Sequence, residues 1–236
     1  MKKIFTPILL LLLLSVQFIF AQYEPKVAGE LVTHTHYSLD YNEEHEQANW
    51  VFYKLSAENI TGEAERSNTF RSDPKVSTKS ASTADYTKSG YDRGHLCPAG
   101  DMSHSEVAMK ESFYMSNMSP QTPSFNRGRW KSLEDLVRVW CKAKGELYIV
   151  VGGVLKEGLP QIGTNKVSIP EHYYKAIYSP SDGEMIAFIM PNEKLDDSVD
   201  KFAVSVDSLE LFIGLDLFPQ LGEEMESKID INKWSF

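Results

Sequence analysis

The chain is poor in cysteine and histidine, with 2 cysteines and 6 histidines among 236 residues. It contains no CxxC pair, so a thiol redox centre of that type is absent. It also lacks HExxH and any other recognisable spacing of three nitrogen, sulfur or carboxylate ligands. These absences argue against catalytic cysteines and against a zinc hydrolase.

The two cysteines, Cys97 and Cys141, both lie close to the polar motif described below. A disulfide between them is compatible with an exported protein. Two unpaired buried thiols are equally compatible, because sequence spacing does not give the distance between two Cα atoms. The sequence leaves both interpretations open.

An excess of positive charge is also lacking, since the formal net charge is −9. Overall charge therefore does not draw this chain to nucleic acid. The local balance is reversed between residues 126 and 144, where basic residues outnumber acidic ones. A solvated helix face would give the same pattern, so the local charge permits nucleic-acid binding without establishing it. The basic residues are Arg127, Arg129, Lys131, Arg138, Lys142 and Lys144, and the acidic residues are Glu134 and Asp135.

Long hydrophobic runs are missing except at the start of the chain. Two lysines are followed there by an apolar segment, residues 4–20, and then by Ala21. This pattern predicts a secretory signal peptide over residues 1–21. The alternative, an uncleaved anchor, is disfavoured by Pro7 and by a length near the lower limit for a membrane span. We expect a secreted or periplasmic protein that has no membrane attachment after cleavage.

Low-complexity segments and internal repeats are absent, and 42% of the residues are hydrophobic. A disordered chain would contain fewer apolar residues. The length is typical of one folded unit with a sizeable core. We therefore predict a single domain over residues 22–236.

The stretch from residue 92 to residue 138 contains the residue types that phosphodiester hydrolysis requires. His95 titrates near neutral pH and can activate water. Asn126 offers a neutral carbonyl oxygen, which suits a hard cation such as Mg²⁺. Arg93 and Arg138 carry permanent charge in a planar fork that matches phosphate oxygens. The stretch therefore predicts metal-assisted chemistry on a phosphodiester.

The segments DRGH, FYMSNMSPQ and FNRGRWKSLEDLVR resemble the DNA/RNA non-specific endonuclease family, one of the ββα-metal (His-Me finger) nucleases. The match is specific because separate motifs occur in the family's order with compatible gaps, whereas DRGH alone would be weak. The resemblance implies an α+β fold with a central, mostly antiparallel sheet flanked by helices. It covers about residues 31–221.

The resemblance also assigns roles to individual residues. His95 corresponds to the general base, Asn126 to the single protein ligand of Mg²⁺, and Glu134 to the acid that holds the ion through water. Asn117 corresponds to a further asparagine of the site. Arg93 and Arg138 correspond to two arginines near the phosphate, and Asp92 and Gln121 correspond to supporting residues of the motifs.

A further arginine is implied by RSNTFRSDP, which resembles the family segment that brings an arginine to the phosphate. Arg66 and Arg71 both qualify, because the register of this segment is not fixed. Arg71 ranks slightly higher as the phosphate contact. Either arginine could equally be an ordinary surface charge.

Each of these residues also has a simpler structural explanation. A lone histidine in a strand is more often structural, and an asparagine before Arg-Gly often forms a turn or begins a helix. Glu134 and Arg138, spaced i and i+4, could form only a surface ion pair worth about 0.2–0.5 kcal/mol. Their combination with His95 and Asn126 favours a functional site.

Hydrophobic periodicity gives the expected secondary structure. His34 and His36 fall on one face of the first strand, where surface or half-buried histidines are favoured over a metal pair. The polar residues 63–90 predict a long loop, and the acidic tail from residue 223 to 226 is expected to be solvated. The predicted strands are residues 31–41, 50–55, 92–96 and 113–118. The last of these is expected to stop at Ser119-Pro120, where proline ends the pairing. A helix with a buried apolar stripe is predicted at residues 130–142.

The resemblance implies a Mg²⁺-dependent endonuclease, with Mn²⁺ as the alternative ion, that hydrolyses DNA and RNA to 5′-phosphate products with little sequence preference. In this mechanism His95 removes a proton from the attacking water, while Arg93 and Arg138 offset the developing negative charge. The alternative is a secreted module that binds nucleic acid without cutting it. The family includes dimers, so a homodimer is compatible with the resemblance.

Overall fold

The structure, a computed structural model, describes residues 23–236. The predicted signal peptide at residues 1–21 lies outside the described residues. None of the helices within residues 23–236 combines the length and the apolarity that crossing a bilayer requires.

The central feature is a seven-stranded sheet in which neighbouring strands are antiparallel, in the order β1-β2-β3-β6-β9-β10-β11. Two further two-stranded pairs, β4-β5 and β7-β8, lie apart from it. The strands are β1 Glu30–Thr33, β2 Tyr37–Asn42, β3 Gln47–Leu55, β4 Asp92–His95, β5 Met118–Gln121, β6 Leu147–Gly153, β7 Gln161–Ile162, β8 Val167–Ser168, β9 His172–Ser179, β10 Glu184–Pro191 and β11 Ala203–Val204.

The sheet is buried on both faces, which explains why its central strands are almost continuously apolar. Along β3, Val51 and Tyr53 face one core while Trp50 and Phe52 face the other, because successive side chains of a strand point to opposite sides. Helices cover both cores, which gives the predicted α+β arrangement. They are α1 Ala57–Ile60, α2 Glu106–Ser112, α3 Pro123–Phe125, α4 Lys131–Lys144, α5 Val206–Ile213 and α6 Glu223–Glu226.

Helix α4 is the long helix that the apolar stripe predicted. Its residues Leu133, Val137 and Trp140 are buried in the first core. The helix ends where Gly145 takes a positive φ of 91°, a conformation that glycine adopts readily. A π-helical turn, Asn126–Trp130, joins α3 to α4 and is kinked at Gly128. The helical segment that leads into α4 therefore begins at Pro123, earlier than the predicted residue 130.

Two strand predictions were wrong in detail. Residues 31–41 form two strands, not one, because the backbone turns where His34 N donates to Tyr37 O at 2.8 Å. The apolar alternation continues across this turn, so the sequence does not reveal it. The second strand of the ββα unit is displaced from residues 113–118 to 118–121. Pro120 pairs with Arg93 there, which is tolerated because the β4-β5 pair leaves an open edge.

The long polar loop is confirmed, since residues 63–90 contain only an isolated bridge between Arg71 and Tyr114. The prediction of a solvated acidic tail is wrong for Glu226, which is buried. That residue ends α6, and α6 packs against α5 and β10.

Candidate active site

A cleft of about 390 Å³ opens between β4, the π-helical turn and α4. It brings together five of the predicted site residues, namely Arg93, His95, Asn126, Glu134 and Arg138. Cationic side chains dominate its wall, so the cleft is a positive site on a chain of net charge −9. Its complete lining is Arg66, Arg93, His95, Pro98, Ala99, Gly100, Asn126, Arg127, Lys131, Glu134 and Arg138.

The β4-β5 pair places the DRGH residues along one edge of the cleft. Gly94 pairs with Ser119 and lies against Gln121. A Cβ atom at Gly94 would come within 2.2 Å of the Gln121 side chain, so this close approach of the two strands requires glycine. The arrangement explains both the glycine and the buried Gln121 of the motif.

His95 is 8% exposed, and its Nε2 has no hydrogen-bond partner among the described residues. The ring edge meets Phe113 at a centroid distance of 4.8 Å. Burial lowers the pKa of His95 to about 3, and the nearby charges of Arg66 and Arg93 act in the same direction. The imidazole is therefore neutral at physiological pH, which is the state in which it can accept a proton.

The two arginines beside His95 each pack against the face of a phenylalanine ring. The Arg93 guanidinium lies 4.2 Å from the centre of the Phe70 ring, and that of Arg66 lies 5.1 Å from the Phe113 ring. A cation held by an aromatic face keeps its N–H groups available for another ligand. These arginines can therefore offer hydrogen-bond donors to an anion in the cleft.

Asn126 is oriented by Asp92. Its Nδ2 donates to Asp92 Oδ2 at 2.9 Å, and Arg127 donates to the same carboxylate at 2.6 and 2.8 Å. The amide nitrogen is thus engaged outside the cleft. In the described part of the chain no hydrogen bond involves the side-chain oxygen Oδ1 of Asn126, which is therefore available as a metal ligand.

Glu134 lies on α4, and its side chain is 15% exposed. Burial raises its pKa to about 7, while the charges of Lys175 and Arg138 act in the opposite direction. Lys175 is fully buried below the cleft, and its Nζ lies 5.0 Å from the Trp130 ring centre. A nearby cation would favour the carboxylate form of Glu134.

Arg138 is one helical turn beyond Glu134, and its Nη2 lies 4.0 Å from Glu134 Oε2. The guanidinium makes closer contacts with Asp101 and Asp135, at 2.6 and 2.9 Å. The interpretation of Glu134 and Arg138 as a simple surface ion pair therefore does not describe the structure. Asp101 was missed by the sequence analysis, because its 37-residue separation from Arg138 leaves no periodic signal.

Asn117 and Gln121 do not line the cleft. Asn117 is fully buried and accepts a hydrogen bond from Cys97 N while donating to Cys97 O, at 2.8 and 2.9 Å. It fastens the chain just beyond His95. The structure places Asn117 behind His95 and outside the cleft lining, and a catalytic role for it stays a prediction.

The structure places Arg66, and not the higher-ranked Arg71, in the wall of the cleft. Arg66 lines the cleft, whereas Arg71 lies over the Tyr114 ring at 4.5 Å and donates to Lys110 O at 3.2 Å. Arg127 and Lys131 also line the cleft. Their only signal in the sequence was the local excess of basic residues.

His34 and His36 do not share a site. His34 is buried, and its Nε2 contacts Asp73 Oδ2 at 2.8 Å. His36 instead contacts His104, with 3.3 Å between Nδ1 and Nε2. Both cysteines are buried and unpaired, which settles the open question in favour of free thiols.

The residues of the cleft fit a hard divalent cation held mainly by water. Within residues 23–236 no cluster of three or more His, Cys, Asp and Glu side chains could hold a metal ion. The available oxygen of Asn126 and the carboxylate of Glu134 line the same cleft. Neutral and carboxylate oxygens of this kind suit Mg²⁺, which keeps several of its waters.

The fold and the cleft together define a ββα-metal nuclease, with two short strands and a helix around one histidine and one asparagine. The solved complex of EndoG with its inhibitor EndoGI contains a chain of the same fold. It is 32% identical, with a TM-score of 0.81, and the match covers 89% of this chain and 94% of that chain.

The family model of the DNA/RNA non-specific endonucleases matches residues 17–224. The chain is 35% identical to a nuclease of Nostoc sp. over 218 residues, covering 85% of this chain and 78% of that protein. It is 34% identical to the mitochondrial nuclease EXOG of Danio rerio over 224 residues, covering 87% of this chain but 65% of EXOG. The chain thus spans just under two thirds of that relative, and it belongs to the DNA/RNA non-specific endonuclease family.

Proposed function

We propose that this protein is a metal-dependent endonuclease that hydrolyses phosphodiester bonds in DNA and RNA. The observation that carries the proposal is the neutral His95 in the wall of a cleft lined by arginines. Membership of the endonuclease family supports the same conclusion. Because phosphate contacts carry no sequence information, cutting has little sequence preference.

His95 acts as the general base. It takes a proton from a water molecule as the water oxygen attacks phosphorus. The bond from phosphorus to the 3′ oxygen breaks, and the 3′ oxygen takes a proton from another water molecule. The products are a 5′-phosphate and a 3′-hydroxyl. Burial keeps the imidazole uncharged before the reaction, and the negative charge of a phosphate in the cleft favours its protonation during the reaction.

The arginines of the cleft bind the phosphate and offset its negative charge as the reaction proceeds. Arg66 and Arg93 approach beside His95, and Arg138 approaches from α4. Asn126 and Glu134 would hold the divalent cation, Mg²⁺ or Mn²⁺. When bound, such an ion supplies positive charge to the phosphate and to the leaving oxygen.

Digestion of plasmid DNA and of total RNA by the purified chain tests this function. We expect both substrates to be cut with Mg²⁺ and left intact with EDTA. Substrates that shift on a gel but stay uncut with Mg²⁺ would instead identify a binding module without catalysis.

A metal titration tests the role of Asn126. The Asn126→Ala variant loses the neutral oxygen ligand, so we expect half-maximal activity at a Mg²⁺ concentration at least about tenfold higher, the lower limit for a perturbed metal site. Asn232→Ala is the matched control, because Asn232 is exposed, lies outside the cleft lining, and its side chain hydrogen-bonds only to Asp230 among the described residues. An unchanged titration for Asn126→Ala would contradict this assignment.

We also propose that the enzyme acts after export, outside the cell or in the periplasm. The support is the basic and apolar sequence of the first residues. Several relatives are named as mitochondrial proteins. Mass spectrometry of the chain recovered from the producing cells and from the medium tests the proposal, since retention of residues 1–21 in a cytoplasmic chain would contradict it.

A further inference from the structure

Two carboxylates hold the Arg138 guanidinium at the edge of the cleft. Its Nε donates to Asp101 Oδ1 at 2.6 Å, and its Nη1 donates to Asp135 Oδ1 at 2.9 Å. The side chain of Asp101 is 1% exposed, whereas that of Asp135 is 51% exposed. Exposed ion pairs are weak and mobile, while a buried carboxylate depends strongly on its partner. Asp101 is therefore the acid that determines the orientation of Arg138.

Asp101 is itself fixed to the centre of the fold. Its Oδ2 accepts a hydrogen bond from the Tyr53 hydroxyl at 3.0 Å, and Tyr53 belongs to β3 and is fully buried. Its backbone N donates to Pro98 O at 3.0 Å within the short turn that follows β4. A rigid path thus leads from the central sheet through Asp101 to the guanidinium.

Gly100 completes this arrangement. A Cβ atom at Gly100 would lie 2.8 Å from Arg138 Nη2 and 3.0 Å from Cζ, so the guanidinium occupies the space that a larger residue would fill. Nη2 is left facing Glu134 Oε2 at 4.0 Å. The glycine, the buried acid and the tyrosine together specify one placement of the arginine.

We infer that Asp101 is a positioning residue for phosphodiester hydrolysis, which acts by fixing the Arg138 guanidinium where negative charge develops on the phosphate. Tyr53 and Gly100 support this placement. The inference rests on the proposed nuclease function, and it goes beyond that function by assigning a role to a residue that does not touch the substrate. Interactions that act only in the transition state raise kcat without changing KM.

The first test compares the two acids that hold the same arginine. Asp101→Asn keeps the size of the side chain but removes its charge. We expect kcat on a defined oligonucleotide to fall on the order of 10²-fold, as for a misplaced catalytic group, with KM nearly unchanged. In Asp135→Asn, the matched control, kcat should fall by less than about threefold because that pair is exposed.

Gly100→Ala separates positioning from stability. The new methyl group would press on the end of a flexible arginine, not on the backbone, so the fold can accommodate it by moving the guanidinium. We expect a loss of kcat comparable to that of Asp101→Asn. The buried Asp101 carboxylate loses part of its contact with the guanidinium, so the unfolding temperature should fall, and kcat is compared per folded molecule below that temperature. This variant also decides the matter if Asp101→Asn fails to fold.

A double-mutant cycle with Arg138→Ala shows whether the effects pass through the arginine. If they do, Gly100→Ala and Asp101→Asn should lower kcat by less than about threefold further in the Arg138→Ala background. Full additivity would show that Asp101 and Gly100 act independently of Arg138, and would overturn the inference. An active wild-type chain whose Gly100→Ala and Asp101→Asn variants both retain wild-type kcat would also overturn it. A wild-type chain without any cleavage would instead overturn the proposed function, and the inference with it.

Discussion

His95 and His34 are both withdrawn from water, at 8% and 5% exposure, but they lie among charges of opposite sign. Arg66 and Arg93 are the charged neighbours of His95, and together with burial they lower its pKa to about 3. His34 contacts Asp73 at 2.8 Å and lies 3.7 Å from Glu111. Burial alone would lower the pKa of His34, but these two acids outweigh it and raise the pKa.

The comparison shows that burial does not determine what a histidine does. A buried histidine with basic neighbours stays neutral and can accept a proton. Acidic partners instead favour the charged form of a buried histidine, and His34 fastens the long loop and α2 to the first hairpin. One environment favours chemistry and the other favours stability.

The largest expected effect comes from removing the proposed base. His95→Ala should lower kcat by at least about 10²-fold, the usual contribution of a positioned base. The variant also loses the ring contacts of His95 with Phe70 and Phe113, which lowers stability, so kcat is compared per folded molecule. Near-normal turnover in this variant would reject His95 as the base.

His34→Ala should have the opposite result. It leaves the buried Asp73 carboxylate, and the half-buried Glu111 beside it, without their histidine partner. Loss of the partner of a buried charge typically costs about 3–5 kcal/mol of folding free energy. We expect urea unfolding to show this loss while kcat per folded molecule is retained. His172→Ala, at a half-buried site on β9, is the control and should cost less than about 1 kcal/mol. A fall in kcat without a fall in stability would break the comparison.

Smaller effects on kcat/KM are expected for two arginines, Arg66 near His95 and Arg71 near the ring that stacks on His34. Arg66 lies beside His95 in the cleft, so Arg66→Ala should lower kcat/KM about tenfold, equivalent to about 1.4 kcal/mol. Arg71 lies over Tyr114, a ring that stacks on His34, so Arg71→Ala should change kcat/KM by less than about threefold. Equal losses in the two variants would contradict the placement of the cleft.

The smallest effect is the pH dependence of the stabilisation by His34. Its pKa is raised from 6.5, so the stabilisation is complete below 6.5 and is lost as pH rises through the folded value. The pKa of Glu111 is lowered from 4.5 to about 2, because its bonds to His34 and Thr35 outweigh burial, so its contribution is lost only as pH falls below 4.5. The stability difference between wild type and His34→Ala should therefore be largest between pH 4.5 and 6.5. A difference that grows above pH 7 would contradict the ion-pair assignment.

Members of the cleft were predicted from motifs that resemble the endonuclease family. His95, Asn126 and Glu134 lie in separate motifs, and spacing along the chain alone does not bring these motifs together. The structure brings these residues into one cleft, although their individual roles remain proposals. Several strands were predictable because they are distinct apolar segments, and the antiparallel sheet was implied by the resemblance to the family.

Features that depend on distant contacts were not predictable. Asp101 and Arg138 meet across 37 residues, and His34 meets Asp73 across 39. Residues 31–41 keep their apolar alternation through a turn, so a hairpin resembles one strand. Pro120 remains in β5 because the open edge of the β4-β5 pair tolerates its missing N–H group, and no property of Pro120 itself indicates that edge.

The most direct test of the account is an NMR titration of the histidine rings in the wild-type chain, with signals assigned from the His95→Ala and His34→Ala variants. We expect the His95 ring to stay neutral far below pH 6.5, and the His34 ring to stay protonated above pH 6.5. Two rings that titrate together near pH 6.5, or a His95 ring that is protonated at higher pH than His34, would contradict the claim that the fold keeps one histidine as a base and the other as a cation.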